Sequence, residues 1–439
     1  MLRRLLLTLF GKLNRFNSLQ VFQLLRFSCL FIIAILISKI FRSNTAVISQ
    51  YETLLLAGGS LSAFWISGIT NTLLPYYNNS VHDQRPVLLF NIFMMLGVLS
   101  VGAFVVLFFW GSRVFLIDED LIRLYGVFIM INAPTYMVEY MLFLRHRYRT
   151  MLQWGILIFS LQVLITVVPL YYGYSLLQTV QLLVVFALLK LVATLFIVSK
   201  HSFLRFDRAM TGAFFLQALP VIFAIFLGSS IDYFNSLLIR YKLPDEFAAF
   251  RYGAREFPIF LIVANTFSNV MSGEIAAFGK AGKLQQGLSN LKARSAKLMH
   301  YLFPAAMLFM LFSKPLFRVL YNEQLSAGYG VFNIYLLLII SRMLFPQTVL
   351  LGLHRSRSFY FSAIAEVMVN IALAWFFVNW WGIEGAAFAV VAAFMAEKLI
   401  LLWFCHFNKI SIKDFVPVKL FLLYSAACIL TYVAAMLIY

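Results

Sequence analysis

The chain is a succession of apolar runs, each long enough to cross a bilayer, and that pattern excludes most other folds. Crossing the hydrocarbon core takes about 20 apolar residues in a helix. Runs of that kind recur near 20–41, 46–74, 87–111, 121–143, 151–171, 175–199, 212–239, 245–273, 298–321, 329–352, 358–380 and 384–405, with a last one near 416–438. They lack the period-two alternation of transmembrane strands, so a barrel is disfavoured. Backbone groups in lipid must then be satisfied within each segment, which leaves helices. Only 12% of the 439 residues are charged, about half the share in a soluble domain. The expected fold is an all-α polytopic membrane protein with about twelve core transmembrane helices in two six-helix lobes, plus a thirteenth helix.

The net charge of +18 would suggest nucleic acid in a soluble protein. Here it sorts with the loops, and no nucleic acid is expected. Alternate loops carry Arg3, Arg4, Lys12 and Arg15, then Arg85, then Arg145, Arg147 and Arg149, then Lys200, Arg205 and Arg208. The same series continues with Lys280, Lys283, Lys292, Arg294 and Lys297, then Arg355 and Arg357, then Lys409, Lys413 and Lys419. The loops between them carry Lys39, Arg42, Arg113, Arg123, Arg240 and Lys242 and hold the acids Asp118, Glu119, Asp120, Asp245, Glu246, Glu323 and Glu384. The positive-inside rule puts the first series, and the N-terminus, in the cytoplasm. The start, through Gln20, reads as a retained amphipathic segment rather than a cleaved signal.

The chain divides on this reading into an N-terminal lobe, 1–199, a basic connector, 200–211, a C-terminal lobe, 212–405, and an extra helix within 406–439. Even-numbered halves share one orientation, so a repeat would turn about the membrane normal. A second basic connector, 279–298, is expected along the cytoplasmic face, near anionic lipid headgroups. Pro134, Pro220, Pro258, Pro304 and Pro346 fall inside apolar runs, where each removes a backbone bond and favours a kink. Pro220 with Gly228 makes the seventh run the first choice for a bend.

Charges inside the spans carry the functional signal. A basic side chain at the bilayer centre costs roughly 2.5–3.5 kcal/mol on insertion scales. Arg26, Lys190, Arg251, Arg255 and Arg342 are so placed and are the candidate ligands for an anionic diphosphate. Arg251 and Arg255 are four apart, which in a continuous helix puts them on one face. Two guanidinium groups there would clamp a diphosphate through bidentate bonds. Arg26 lies near a span end, where snorkelling to the interface is the structural alternative. Asp232, Glu139, Glu256 and Glu366 are the acids that would balance these charges or take a coupling Na+ or H+. Glu397 and Lys398 are neighbours and point different ways, so each is expected to find another partner.

Enzyme signals are missing from the sequence. The six histidines scatter along span ends, and no phosphate loop, nucleophile elbow or metal-ligand spacing occurs. Cys29, Cys405 and Cys428 lie in apolar runs and read as small buried residues. No cofactor is expected, and transport would run on an ion gradient or on that of the cargo.

Two stretches carry a family resemblance. Ile231-Asp-Tyr-Phe-Asn-Ser-Leu-Leu-Ile-Arg240 with Glu246-Phe-Ala-Ala-Phe-Arg-Tyr-Gly-Ala-Arg255 resembles the seventh-to-eighth helix region of Wzx-type polysaccharide flippases. Leu351-Gly-Leu-His-Arg-Ser-Arg357 with Gly382-Ile-Glu-Gly-Ala-Ala-Phe-Ala389 resembles the turn between that family's eleventh and twelfth helices. These flippases belong to the multidrug/oligosaccharidyl-lipid/polysaccharide (MOP) exporter superfamily. The resemblance implies alternating access around a cationic cavity, with Arg26, Arg255 and Arg251 most similar to functional arginines. It implies a polyprenyl-diphosphate-linked glycan as cargo, moved across the bacterial cytoplasmic (inner) membrane for surface polysaccharide synthesis, with polysaccharide assembly proteins as partners. The second run has no basic residue deep in it, with Glu52 near its start. That departs from lipid II flippases and argues against a peptidoglycan precursor. The alternative within the superfamily is a cation-coupled multidrug exporter, whose cationic cargo would call for acids in place of these arginines.

Overall fold

A computed structural model describes residues 15–42, 44–255, 258–353, 355 and 357–439. The described residues are helical, with no strand among them. Among the described residues ten helices are long and apolar enough to cross a membrane, and a bent pair, Leu284–Leu311 with Ser313–Leu320, makes an eleventh candidate. The protein is a multi-pass membrane protein. Glu256 and His354 lie outside the described residues.

The chain forms two compact units, Met1–Ser229 and Ser230–Tyr439. In the first, α1 (Arg15–Ile40) packs on α7 (Tyr148–Tyr171). Between them in sequence run α2 (Thr45–Gly58), a π-turn (Gly59–Ala63), α3 (Phe64–Asn79), α4 (Arg85–Phe115) and α5 (Glu119–Asn132). A 3-10 turn (Ala133–Tyr136) and α6 (Met137–Leu144) follow α5. α8 (Leu176–His201) packs on α5. Two of these starts are capped by side chains: Asp118 caps α5 through the Leu121 amide at 2.9 Å, and Ser175 with Gln178 makes a capping box on α8. The core joins Trp65 and Ile69 of α3, Leu89 and Ile92 of α4, Met137 of α6 and Met151 of α7.

α9 (Arg208–Lys242) begins in that same core. Its Phe214, Ala218 and Ile222 are members, and a Cβ on Gly68 of α3 would strike the Ile222 backbone at 2.7 Å. The contact division therefore falls inside α9 and not at the connector. The non-helical connector, 202–207, is held by buried Asn91 of α4. Its amide donates to the Arg205 carbonyl at 3.1 Å, and its Oδ1 accepts from the Asp207 amide at 2.9 Å and the Thr211 hydroxyl at 3.0 Å.

The second unit continues with α10 (Phe247–Gly253), α11 (Pro258–Lys280), α12 (Leu284–Leu311), α13 (Ser313–Leu320), α14 (Gly328–Leu336), α15 (Leu338–Arg342) and α16 (Pro346–Gly352). It ends with α17 (Arg357–Phe407), α18 (Ile412–Phe415) and α19 (Val418–Ile438). α17 is two helices joined at Trp381 and Gly382, where Gly382 has φ 54° and ψ −137°. A Cβ on Gly385 would run into the Phe377 carbonyl. The two glycines of the Gly382–Ala389 motif thus have separate duties, one for a backbone conformation L-residues avoid and one for close approach. The eighth run is broken after α10, and Pro258 restarts it. Pro346 likewise restarts the tenth run, at α16. Pro220 and Pro304 sit inside helices that continue across them. The basic 279–298 stretch is no separate surface segment: after Gly282 it becomes the start of α12, where Lys292 Nζ donates to the Lys413 carbonyl at 2.7 Å. The last helix, α19, packs on α12, with Tyr424 stacked on Phe303 at 5.3 Å and hydrogen-bonded to His300 at 2.7 Å.

Candidate functional site

A cavity of about 420 Å³ opens in the first unit. Its wall is made where helices depart from α geometry. In the second span the π-turn exposes Gly58, Gly59 and Ser62 to it, with the Ser62 hydroxyl donating to the Gly58 carbonyl at 2.6 Å. In the fourth span Pro134 lacks an N–H, and the chain tightens into the 3-10 turn. The Met130 carbonyl that Pro134 cannot reach accepts from the Ser100 hydroxyl at 2.9 Å, and the Thr135 hydroxyl donates to the Asn132 carbonyl at 2.6 Å. Breaks of both kinds concentrate at functional sites because they re-aim side chains that a regular helix would stack.

Three charged side chains line this cavity: Arg26 from α1, Glu139 from α6 and Lys190 from α8. Arg26 Nη2 donates to the Glu139 carboxylate, forming an ion pair. Its Nε is buried with no partner. Lys190 Nζ donates to Asn132 Oδ1 at 2.9 Å, a neutral group. The Tyr136 ring serves both cations, 4.8 Å from the Arg26 guanidinium and 5.5 Å from Lys190 Nζ. A ring face stabilises a desolvated cation without cancelling its charge. Trp154, Tyr125, Phe128 and Phe159 complete an aromatic wall. Arg26 therefore points inward, and the snorkelling alternative is not realised. Cys29 donates weakly to the Phe159 carbonyl at 3.4 Å, and all three cysteines are buried and free.

The remaining basic candidates lie in the second unit. α10 ends at Gly253, with the Ala254 amide capping the Phe250 carbonyl at 2.7 Å. Arg255 thus falls beyond the helix, and the four-residue spacing no longer places it beside Arg251. Arg251 Nη1 donates to the Ser236 hydroxyl of α9 at 3.2 Å. Arg255 lies over the Tyr252 ring at 4.5 Å and shares with Arg342, Tyr335 and Phe260 a pocket of about 20 Å³, room for a single water.

The second unit also holds a polar cluster. Lys398 Nζ donates to Glu397 Oε2 and Gln347 Oε1, both at 2.7 Å. This corrects the expectation that Glu397 and Lys398 look past each other. The lysine stem is long enough to fold back along the helix, and its alternative was an unpaired ammonium in apolar surroundings. Glu366 lies within electrostatic reach of Glu397, Lys398 and Asp232. Asn235 of α9 and Asn370 of α17 exchange side-chain hydrogen bonds at 3.2 and 3.0 Å, fully buried. Among the described residues no group of three or more His, Cys, Asp or Glu is placed to hold a metal ion.

Asn132, Tyr136 and Gln347 escaped the sequence reading because each is uncharged. The signal that pointed to the first two was Pro134 between them, a helix breaker inside an apolar run.

No protein-family model matches the sequence, and no curated protein is significantly similar to it. Solved structures do match in fold. The lipid II flippase MurJ in an inward closed conformation superposes with a TM-score of 0.69 at 14% identity, covering 95% of this chain and 98% of its own. An inward-facing multidrug resistance MATE family transporter of the MOP superfamily gives 0.64 at 13% identity, covering 87% and 93%. A MOP superfamily transporter from Pyrococcus furiosus, described as having a binding pocket of reversed polarity, gives 0.57 at 11% identity, covering 89% and 94%. The chain has the fold of MOP superfamily flippases and transporters.

Proposed function

We propose that the protein is a transporter that flips a polyprenyl-diphosphate-linked oligosaccharide from the cytoplasmic to the outer leaflet of the inner membrane. The observation that carries this reading is the charge inside the first-unit cavity, where Arg26 and Lys190 face a single acid, Glu139. A desolvated pair of cations with one counter-charge favours an anionic cargo, and a guanidinium beside an ammonium suits a phosphate group. The aromatic wall suits the apolar faces of sugar rings. Arg255 and Arg342 are proposed as a second anion-holding pair, and Asp232, Glu366 and Glu397 as a place for a coupling proton. The Wzx-like motifs favour a polysaccharide precursor, and the fold shared with MurJ is compatible with a lipid-linked cargo.

The second reading is a multidrug exporter. The fold shared with the MATE transporter and the presence of Glu139 in the cavity favour it.

The deciding experiment uses cells lacking the protein, complemented with wild type, Arg26→Ala or Lys190→Ala. Lipid-linked oligosaccharide should accumulate on the cytoplasmic leaflet without the protein. Wild type should clear it, and each variant should fail by tenfold or more (roughly 1.4 kcal/mol or greater) at equal membrane abundance. Normal flipping with reduced efflux of cationic drugs would instead establish the exporter.

A further inference from the structure

We propose that Glu139 is a tethered stand-in for the anionic group of the cargo: it holds Arg26 and yields it when the cargo's phosphate competes for the same guanidinium. This rests on the anionic-cargo reading above. A guanidinium offers a planar fork of donors that matches two oxygens of a carboxylate or phosphate. Glu139 engages Nη2 of Arg26 through one oxygen, while the buried Nε has no partner. The fork is half-filled, and a phosphate group can fill it completely. The carboxylate comes from a residue 113 positions away in sequence, so the pairing belongs to the tertiary fold and not to one helix.

Charge sets the cargo class more narrowly. Two cations against one acid leave one positive charge uncompensated among the lining residues. Lys190 adds to this because its hydrogen-bond partner, Asn132, is neutral. Once Glu139 has yielded Arg26, both cations face the cargo, and a group with two negative charges, such as a diphosphate, matches them better than a monoanion.

The test is calorimetric titration of the full-length protein in detergent with farnesyl diphosphate. Glu139→Gln should bind it more tightly than the wild type, by about tenfold or more (roughly 1.4 kcal/mol), because the competing carboxylate is gone, and Arg26→Ala should bind it more weakly. If Glu139→Gln binds no more tightly than the wild type, or as weakly as Arg26→Ala, Glu139 merely positions Arg26 and the stand-in is refuted. If the wild type melts as a folded protein and binds no diphosphate, the anionic-cargo reading fails and takes the stand-in with it.

Discussion

Partner chemistry governs this molecule at the scale of single residues. Lys398 is held by Glu397 and Gln347 in a region where its ammonium is nearly buried. Lys398→Ala should destabilise the protein by about 3–5 kcal/mol, because it strands Glu397, whereas Glu397→Gln combined with Lys398→Met should stay near wild type. Denaturation in detergent separates the two outcomes, and equal losses in both would show that the pair is not what stabilises this region. The same logic explains what was legible in the sequence. Arg26, Glu139 and Lys190 stood out as charges in apolar runs, since their cost is local and visible. That the three meet in one cavity was not legible, because it depends on α1, α6 and α8 being brought together. The Glu397–Lys398 pair was misjudged for a related reason: helical angle places Cα atoms, while a four-carbon stem decides where the charge goes.

At the scale of elements, the apolar runs disclosed the spans, and glycines decide how closely they pack. A Cβ on Gly253 of α10 would meet the Gly328 carbonyl and lie 2.7 Å from Val331 Cβ. A Cβ on Gly328 would in turn meet the Ala249 carbonyl at 2.5 Å. Gly253→Ala should therefore cost about 1–3 kcal/mol through overpacking. Gly382→Ala should cost a similar 1–3 kcal/mol for another reason, a backbone conformation that is almost exclusive to glycine. Thermal melting of each purified variant checks both. Gly102→Ala, with open space around its Cβ, serves as the control and should be within error of wild type. The breaks inside the eighth and tenth runs were hidden at this scale because hydropathy averages over them. Phe247–Gly253 and Pro258–Lys280 both contribute apolar residues on either side of the interruption. Proline was an incomplete guide: 134, 258 and 346 mark breaks, while 220 and 304 sit in continuous helices.

At the scale of the whole molecule, the two compact units do not divide where the charge pattern divides the chain. The first half of α9 supplies Phe214, Ala218 and Ile222 to the first core, and Asn91 ties down the connector that precedes it. A fragment ending at Asp207 should accordingly be poorly retained in membranes and melt lower than one ending at Leu243. Comparable abundance and melting would show that α9 is dispensable to the first unit. The π-turn lining the cavity has a consequence that can be put in terms of chain length. A π-turn amounts to an α-helix that has accommodated one extra residue, so its flanks keep their faces. Removing Ser60 should let Gly58 to Trp65 relax into regular helix and leave the core contacts of Trp65 and Ile69 in place, with the cavity wall drawn shut. The same one-residue deletion in the middle of α4, which has no such slack, would rotate everything beyond it by about 100° and turn its buried face outward. The protein should thus tolerate becoming one residue shorter in this cavity wall, keeping its fold while the cavity narrows.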